Sequence, residues 1–288
     1  MDENIQKHRA FVAAAQTGSI SRAAAQLGFS QSAVSRMIAD LEGQWGVALL
    51  HRDRSGARLT PEGEQLLDAS RALCESYESL RERVGEVRGL ARGRIRIGTI
   101  SSVATHRLPA IVAAFKRDHP GISYELLLGD YSDIERWIVE GRVDCGFLRE
   151  PCSGRLACTP FERDELKAVL PPGHALAAKE RVELSELACE PFLALEHGSD
   201  SEVAQLFDGA GVALQPAFST WDDYAVMAMV ERGLGVAVLP SLILTRIPYD
   251  VAVRPLAQPA VRRLCFATRA GRRTSLAVER FASYLDVR

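Results

Sequence analysis

The chain has 288 residues, of which 47% are hydrophobic and 25% charged, and its formal net charge is −2. This length predicts two domains or one large one, and the composition is that of an ordinary globular protein. No apolar run approaches a membrane span, and the first residues lack the apolar segment of a signal peptide. We therefore expect a cytoplasmic protein with no membrane partner, and the net charge argues against nucleic-acid binding over the whole surface.

The number and spacing of the cysteines limit the redox and metal chemistry that can be expected. The six cysteines are scattered without CxxC pairs. In a reducing compartment this pattern predicts buried thiols. No group of cysteines and histidines has the spacing of metal ligands, so we expect neither a metal ion nor another cofactor.

Two helices are predicted at the start of the chain. Apolar side chains form one stripe over residues 4–17, and Gly18 ends that helix. Ser19 or Ser21 caps a second helix. Gly28 ends it, because glycine accommodates the positive φ that such an ending requires.

The third helix has a polar face in its first two turns. Ser30 caps it, and its apolar residues share one side: Val34, Ile38 and Leu41. The polar residues on the other side are Gln31, Ser32, Ser35 and Arg36. This arrangement is typical of a recognition helix, in which arginine suits guanine, glutamine suits adenine and serine reaches phosphate or base. An ordinary helical hairpin with a solvated face is the alternative.

A basic hairpin is predicted next. Two short extended segments, residues 47–52 and 57–59, flank a polar turn. Arg52, Arg54 and Arg58 cluster there, as in a wing that lies along phosphates or enters a minor groove. Residues 1–60 carry seven basic and five acidic side chains, so this head is slightly basic. The alternative is a hairpin with solvated arginines.

A long helix is predicted from residue 61 to about residue 90. Thr60 is the N-cap and Pro61 the first helical residue. Positions spaced alternately four and three form a seam: Leu66, Ser70, Leu73, Tyr77, Leu80, Val84 and Val87. Because only Ser70 is polar, the seam favours pairing with a second copy of the chain, which would join two reading heads. The alternative is packing on its own domain.

Strands and helices alternate after a flexible joint near residue 91. Strands are predicted over residues 94–100, 122–128, 166–170, 191–195, 217–220, 235–240 and 263–268, and a loop followed by a strand over residues 141–148. Helices are predicted over residues 102–118, 131–140, 202–210, 224–231 and 275–285. This order predicts two α/β units with parallel sheets, joined by two crossovers. A cleft between such units is a small-molecule site.

Taken together, these segments resemble LysR-type transcriptional regulators over essentially the full length. The motifs that carry the resemblance are AAAQL at residues 23–27, SQSAVSR at 30–36, GVALL at 46–50, LTPEG at 59–63, IRIG at 95–98, EGRVD at 140–144 and GLGVAVLP at 233–240. The resemblance implies an α/β multidomain fold. Its parts are a winged helix-turn-helix over residues 1–60, a dimerising linker helix over 61–90, and a periplasmic-binding-protein-like type 2 effector domain over 91–288. Subdomain I spans about 91–161 and 264–288, and subdomain II about 162–263.

The resemblance also implies the function. Such proteins are dimers or tetramers that bind double-stranded promoter DNA, act on RNA polymerase and respond to a small-molecule effector. Matched by position, Gln31, Ser35 and Arg36 contact DNA and Arg54 lies on the wing. Ser32 stands where many members have proline, and with Arg52 it completes the predicted set of DNA contacts. We expect effector binding to close the cleft and alter how paired heads sit on an imperfect palindrome.

The effector cleft is expected beside the loop after the first strand of the effector domain. That loop contains Thr99, Ser101, Ser102 and Val103. Hydroxyls and free backbone N–H groups at a helix start favour a carboxylate or phosphate, so an anionic effector is favoured. Ser102 as a simple helix cap is the alternative. The other residues expected to face the cleft are Asp130, Tyr131, Phe147, Arg149, His197, Ser199 and Trp221.

Several roles stay open from the sequence. Arg149 either pairs with an anionic effector or bridges Glu150 or Asp130, and Trp221 either stacks on an aromatic effector or packs. Within the family, a redox sensor using Cys152 and Cys158 is the alternative. No G-x-S-x-G, P-loop or Rossmann pattern is present, so we expect no enzyme. A purely structural DNA-binding protein would need no two-lobed cleft.

Overall fold

A computed structural model describes residues 4–53, 56–87, 93–195 and 201–287. The chain divides into two compact units, Met1–Ala91 and Arg92–Arg288. The first is helical with one hairpin, and the second mixes helices and strands. The predicted α/β multidomain fold is confirmed.

The first unit is a winged helix-turn-helix followed by a long helix. Its elements are α1 (Ile5–Thr17), α2 (Ile20–Leu27), α3 (Gln31–Trp45), β1 (Leu50–Asp53), β2 (Gly56–Leu59) and α4 (Pro61–Val87). Strands β1 and β2 pair antiparallel, with Leu50 opposite Leu59. Helices α1 to α3 form one core, in which Phe11, Val34 and Ile38 are fully buried.

Side-chain caps and a left-handed glycine set the turn between α2 and α3. Ser19, rather than Ser21, caps α2, and its Oγ accepts from the backbone N–H of Arg22 at 3.4 Å. Gly28 ends α2 with a φ of 72°, a conformation that favours glycine. Ser30 Oγ then accepts from the backbone N–H of Ala33 at 3.2 Å and begins α3. The helix caps and the helix-ending glycine predicted from the sequence therefore fix this turn through local interactions.

The start of α4 is locked onto the segment before the hairpin. Thr60 Oγ1 donates to the carbonyl of Ala48 at 2.7 Å and accepts from the backbone N–H of Gly63 at 2.9 Å. A Cβ at Gly63 would collide with the carbonyl oxygen of Leu49. Glycine is required there because the backbone of the two segments lies in direct contact.

The apolar positions of α4 face two different surroundings. Leu66 packs on the core of its own unit, and Ser70 is buried with its Oγ 3.4 Å from His8 Nδ1. Further along, four side chains stay well exposed: Leu73 (42%), Tyr77 (38%), Leu80 (57%) and Val84 (45%). The side chain of Val87 lies outside the described part. The first turns of α4 therefore pack on their own domain, whereas the rest of the described helix exposes an apolar seam.

The second unit contains most of the strands. Its helices are α5 (Ser101–His106), α6 (Leu108–Asp118), α7 (Tyr131–Val139), α8 (Leu184–Leu187), α9 (Glu202–Gly209), α10 (Asp223–Glu231) and α11 (Leu276–Ala282), with a 3-10 turn at Ala175–Ala178. Its strands are β3 (Gly93–Thr99), β4 (Ile122–Leu128), β5 (Cys145–Arg149), β6 (Leu156–Leu170), β7 (Phe192–Leu195), β8 (Pro216–Thr220), β9 (Ala237–Pro240), β10 (Ala252–Pro255) and β11 (Val261–Arg269).

The sheets are mixed, which corrects the expectation of parallel sheets. Seven strands form one sheet in the order β10-β6-β11-β5-β3-β4, with β9 also paired to β6. Among the described strands, parallel pairing is confined to β3 with β4, β3 with β5, and β7 with β8. The crossovers are the long antiparallel strands β6 and β11, which pair with each other and carry the sheet from one half of the unit to the other.

Each half of this unit has its own apolar core. The first half consists of β3 to β5 with α5 to α7 and α11, and its core includes Phe115, Phe147 and Phe281. The second half consists of β7 to β10 with α8 to α10, and its core includes Phe192 and Phe207. The strands β6 and β11 therefore connect two separately packed bodies.

Two predicted elements differ from the structure, and two observed elements were not predicted. The helix expected over residues 102–118 is two helices, because Pro109 has no backbone N–H to donate and starts α6 instead of continuing α5. Strand β6 begins at Leu156 rather than at residue 166. Helix α8 and strand β10 were not predicted, since both are only four residues long.

Candidate functional site

The exposed face of α3 carries the predicted DNA-contacting residues. Gln31, Ser32 and Arg36 are exposed, and Ser35 is half-buried, on the side opposite the buried Val34. Ser32 Oγ lies 3.0 Å from Ser30 Oγ, so one candidate contact is held beside the helix cap. The arrangement presents a guanidinium, an amide and hydroxyls from one rigid helix, which suits base edges and phosphates.

The wing is described only in part. Arg54 lies outside the described residues, and so does the side chain of Arg52. Arg58 is exposed on β2, opposite His51 on β1. Of the predicted basic cluster, the structure therefore places Arg58 on the surface.

A small cavity lies between the two halves of the second unit. Its volume is about 30 Å³, room for one or two water molecules. The lining residues are Ile100, Ser101, Ser102, Asp130 and Tyr131 from the first half, Leu195, Ser201, Glu202, Val203, Asp223, Val238 and Pro240 from the second, and Leu166 and Arg262 from the crossover strands. Protein side chains thus nearly fill the cleft.

A buried ion pair forms the back of this cavity. Arg262 on β11 lies directly opposite Asp164 on β6. Its Nε and Nη2 donate to Asp164 Oδ2 at 2.9 and 2.8 Å, and both side chains are nearly inaccessible to solvent. Asp164 Oδ1 also accepts from Ser241 Oγ at 2.8 Å and from the backbone N–H of Leu242 at 2.9 Å. The charge of the carboxylate is therefore fully compensated.

Arg262 also reaches the first half of the unit. It donates to Ser102 Oγ at 2.8 Å and to the Tyr131 hydroxyl at 3.1 Å. Burial alone would lower the pKa of Arg262, but Tyr131, Glu202 and Asp164 together raise it above its ordinary value. The guanidinium stays charged and joins two helices of the first half to the crossover strands.

Two further hydrogen bonds cross the cleft. Ser101 Oγ donates to Asp223 Oδ2 at 2.5 Å, and the Tyr131 hydroxyl donates to Glu202 Oε1 at 2.6 Å. Burial raises the pKa of the Tyr131 hydroxyl, so it remains a donor. Hydroxyls of the first half are therefore bound to carboxylates of the second half.

The predicted cleft residues separate into three groups. Ser101, Ser102, Asp130 and Tyr131 line the cavity as predicted. Thr99, Val103 and Phe147 are fully buried, and Trp221 is 62% exposed; all four lie away from the described lining. Phe147 faces inward because β5 is central in the sheet, where it packs against Phe161 and Phe266. His197 and Ser199 lie outside the described residues.

The structure shows the contacts of two residues, Ser102 and Arg149, whose roles the sequence left open. Ser102 does not cap α5: the residue at the cap position is Ile100, which has no side-chain cap bond, and the Ser102 hydroxyl accepts from Arg262 instead. Arg149 lies against α9 of the second half. Its Nη1 donates to Gln205 Oε1 at 3.2 Å, and its Nε lies 3.9 Å from Glu202 Oε1.

Sequence reasoning missed the charged residues of the cavity. Glu202, Asp223, Asp164 and Arg262 were not predicted as site residues, although all but Asp164 line the cavity. A signal existed for Arg262, because an arginine in the strand pattern VRRLCF alternates onto the buried face. Its partner could not be found, since the register of β6 against β11 is a long-range property.

The cysteines depart from the predicted buried thiols. Cys152 and Cys158 form a disulfide, and Cys189 is exposed. Burial raises the pKa of the Cys74 thiol to about 11, and burial with the charge of Glu150 raises that of Cys265 to about 11. Because the thiolate is the reactive form, these two described thiols are poor targets for oxidants.

None of the described helices combines the length and apolar character needed to cross a bilayer.

Comparison with known proteins gives matches along nearly the whole chain. Residues 5–64 match the family model "Bacterial regulatory helix-turn-helix protein, lysR family", and residues 88–287 match "LysR substrate binding domain". The probable HTH-type transcriptional regulator LrrA of Synechococcus elongatus is 35% identical over 286 residues, which are 99% of this chain and 96% of the relative.

Solved structures share the fold. A full-length OxyR variant from Pseudomonas aeruginosa matches with a TM-score of 0.78 at 21% identity, covering 99% of this chain and 95% of that one. Full-length CbnR complexed with its target DNA matches with a TM-score of 0.58 at 21% identity, covering 98% of each chain. At such identities the likeness concerns the fold.

Replacing Arg262 by alanine should strongly destabilise the second unit. The change leaves the Asp164 carboxylate buried without its counter-charge, which costs about 3–5 kcal/mol. The exposed neighbour Arg263 is the matched control, and Arg263→Ala should change the free energy of unfolding by less than ~0.5 kcal/mol. Urea unfolding of the full chain measures both; equal effects would contradict the role given to Arg262.

Proposed function

This chain belongs to the LysR family of transcriptional regulators, and we propose that it binds promoter DNA through α3 as a dimer or tetramer whose DNA binding responds to a small molecule in the cleft of the second unit. The observation that carries the DNA-binding role is the first two turns of α3. There, Gln31, Ser32 and Arg36 are exposed while Val34 is buried. Such a helix offers hydrogen-bonding side chains to a major groove without exposing apolar surface.

The DNA contacts divide by chemistry. Arg36 is proposed to read guanine, Gln31 to read adenine, and Ser32 and Ser35 to position the helix on phosphates or bases. Arg52 and Arg54 on the wing are proposed to lie along the phosphate backbone, where contacts carry affinity but little sequence information.

Oligomerisation is proposed through α4. Leu73, Tyr77, Leu80 and Val84 form an exposed apolar seam at heptad spacing, and a second copy of α4 would cover it. The proposed division of the chain is a DNA-binding domain over residues 1–60, the linker helix over 61–90 and an effector domain over 91–288. In the last, subdomain I takes about 91–161 and 264–288 and subdomain II about 162–263. Contact with RNA polymerase belongs to the same proposal.

The charges of the cavity bear on the class of effector. Asp130, Glu202 and Asp223 line it against one guanidinium, Arg262, whose charge already faces Asp164. An anion would have to displace the Asp223 carboxylate from Ser101. An ammonium group would instead donate to lone pairs of Asp223 and Glu202 that remain beside the hydrogen bonds from Ser101 and Tyr131. The anionic effector expected from the sequence stays a prediction, and the lining supports an effector with a protonated amine.

Binding, rather than catalysis, is the proposed role of the cleft. Asp164 is the most deeply buried carboxylate beside the cavity, and four donors hold it in place. A carboxylate bound in this way has no free lone pair aimed at a substrate and is poorly placed as a general base.

Arg36→Ala should remove discrimination between bases. Affinity for the DNA that the full-length protein selects from a random pool should fall by ~1–3 kcal/mol, while affinity for random DNA changes less. Arg117→Ala is the control, because Arg117 is a 78% exposed arginine on α6. Fluorescence anisotropy at fixed salt measures both affinities. Unchanged discrimination in Arg36→Ala would remove α3 as the reading element.

Leu80→Gln should weaken self-association, because it places a polar side chain in the α4 seam. The matched control is Arg81→Gln at the next position, whose side chain is 61% exposed outside the seam. Light scattering over a dilution series should show Leu80→Gln dissociating at higher protein concentration than either wild type or Arg81→Gln. Identical profiles for the two variants would exclude the seam as the interface.

Paired small molecules with the same carbon skeleton, one bearing an amine and one a carboxylate, test the effector class. A bound amine at one hundred times its dissociation constant should add ~2.7 kcal/mol to the stability of the full chain, seen as a higher Tm. Glu202→Gln should weaken that binding about tenfold, the loss expected for one charge-assisted hydrogen bond. Trp221→Ala, outside the cavity, should leave it intact. Stabilisation by carboxylates alone would contradict the amine class.

A further inference from the structure

Three cysteine sulfurs meet at one place in the second unit, two from neighbouring segments and one more than 100 residues further along the chain. Cys152 lies in the loop after β5, Cys158 in β6 and Cys265 in β11. Their sulfur atoms all lie within 4.8 Å of one another. Cys152 Sγ is bonded to Cys158 Sγ and lies 3.1 Å from Cys265 Sγ. Neither the proposed DNA contacts nor the proposed effector cavity uses these residues.

We propose that, with the disulfide reduced, these three cysteines bind a thiophilic metal ion such as zinc or cadmium. Zinc–sulfur bonds of about 2.3 Å place two sulfur ligands of one tetrahedral ion about 3.8 Å apart. Cys265 Sγ lies 3.1 Å from Cys152 Sγ, and all three sulfurs lie within 4.8 Å of one another. Once the disulfide is reduced, side-chain rotations can therefore bring the three sulfurs to that spacing. Three thiolates are soft ligands, which select such ions over magnesium or calcium.

The surroundings suit a bound ion. Cys265 is fully buried in β11 and closes the site on the protein side, while Cys152 and Cys158 are partly exposed and leave an entry path. Ser153, next to Cys152, buries its hydroxyl without a hydrogen-bond partner among the described residues.

The position gives the ion a structural consequence. Strands β6 and β11 connect the two halves of the unit, and the loop that carries Cys152 precedes β6. An ion held by all three sulfurs would fasten this loop to both crossover strands. The disulfide joins only the loop and β6, so the reduced, metal-bound form and the oxidised form fix different segments.

Reduction of the disulfide precedes metal binding. One phosphine and one water convert the Cys152–Cys158 disulfide into two thiols and a phosphine oxide. A divalent ion then forms three metal–sulfur bonds and releases three protons.

Cadmium titration of the full chain tests the site. After phosphine reduction and removal of the phosphine under nitrogen, we expect one tightly bound cadmium ion per chain, seen in the near-ultraviolet sulfur-to-cadmium absorption, and a higher Tm. Protein left oxidised should lack this site. Cys158→Ser and Cys265→Ser should each weaken binding by at least the ~10–100-fold that loss of a ligand's hydrogen-bond partner costs. Cys158 is partly exposed, so that variant stays informative if the buried Cys265→Ser fails to fold.

The matched control is Cys189→Ser, since Cys189 is an exposed free cysteine elsewhere in the unit. It should bind cadmium as wild type does. The proposal is overturned if the reduced wild type shows no sulfur-to-cadmium absorption, if Cys158→Ser binds as tightly as wild type, or if the oxidised protein binds equally well.

Discussion

The buried pair of Arg262 and Asp164 is the interaction on which the second unit depends. Taking two charges out of water is unfavourable, and their attraction offsets this only when the remaining hydrogen-bonding groups are satisfied. Here Ser241 and the backbone of Leu242 complete the shell of Asp164, while Ser102 and Tyr131 complete that of Arg262. The pair therefore holds residues from both halves in fixed positions relative to the crossover strands.

The cleft that this pair supports is closed by the protein's own side chains. Ser101 is bound to Asp223 and Tyr131 to Glu202, and the cavity between the described residues of the two halves has a volume of about 30 Å³. The proposed effector would have to exchange these contacts for its own, and it would act by favouring one arrangement of the halves over another. The size of the response is limited by the difference between its affinities for the two arrangements.

The sequence predicted best what local chemistry determines. Ser19, Ser30, Gly28 and Pro61 are caps, stops and starts whose effect reaches only a few residues, and the helices around them lie where expected. The fold of the second unit was predicted from the resemblance of its motifs to a known family. The alternation of strands and helices alone predicted parallel sheets, which was wrong.

Contacts between residues far apart in the chain could not be predicted from the sequence. Asp164 stands opposite Arg262 because of the register between β6 and β11. Cys265 meets Cys152 because β11 also pairs with β5, and the loop after β5 carries Cys152. The burial of Phe147 and the exposure of Trp221 also follow from tertiary placement: Phe147 lies within the central strand β5, whereas Trp221 lies just after β8, where a side chain can face a core, a cleft or solvent. One missed feature was local: Pro109 interrupts the helix predicted over residues 102–118, and its position alone could have indicated the break.

The proposed control of DNA binding by the cleft is tested by the DNA affinity of full-length Ser101→Ala. This change removes the hydroxyl that binds Asp223 across the cleft and leaves every proposed DNA contact in place. If the cleft and the DNA-binding domains are coupled, the Kd for the selected DNA should change by about fivefold or more. Fivefold is the lower end of the effects that coupled sites typically have on each other's affinity. A folded variant with the same Kd as the wild type would contradict the account.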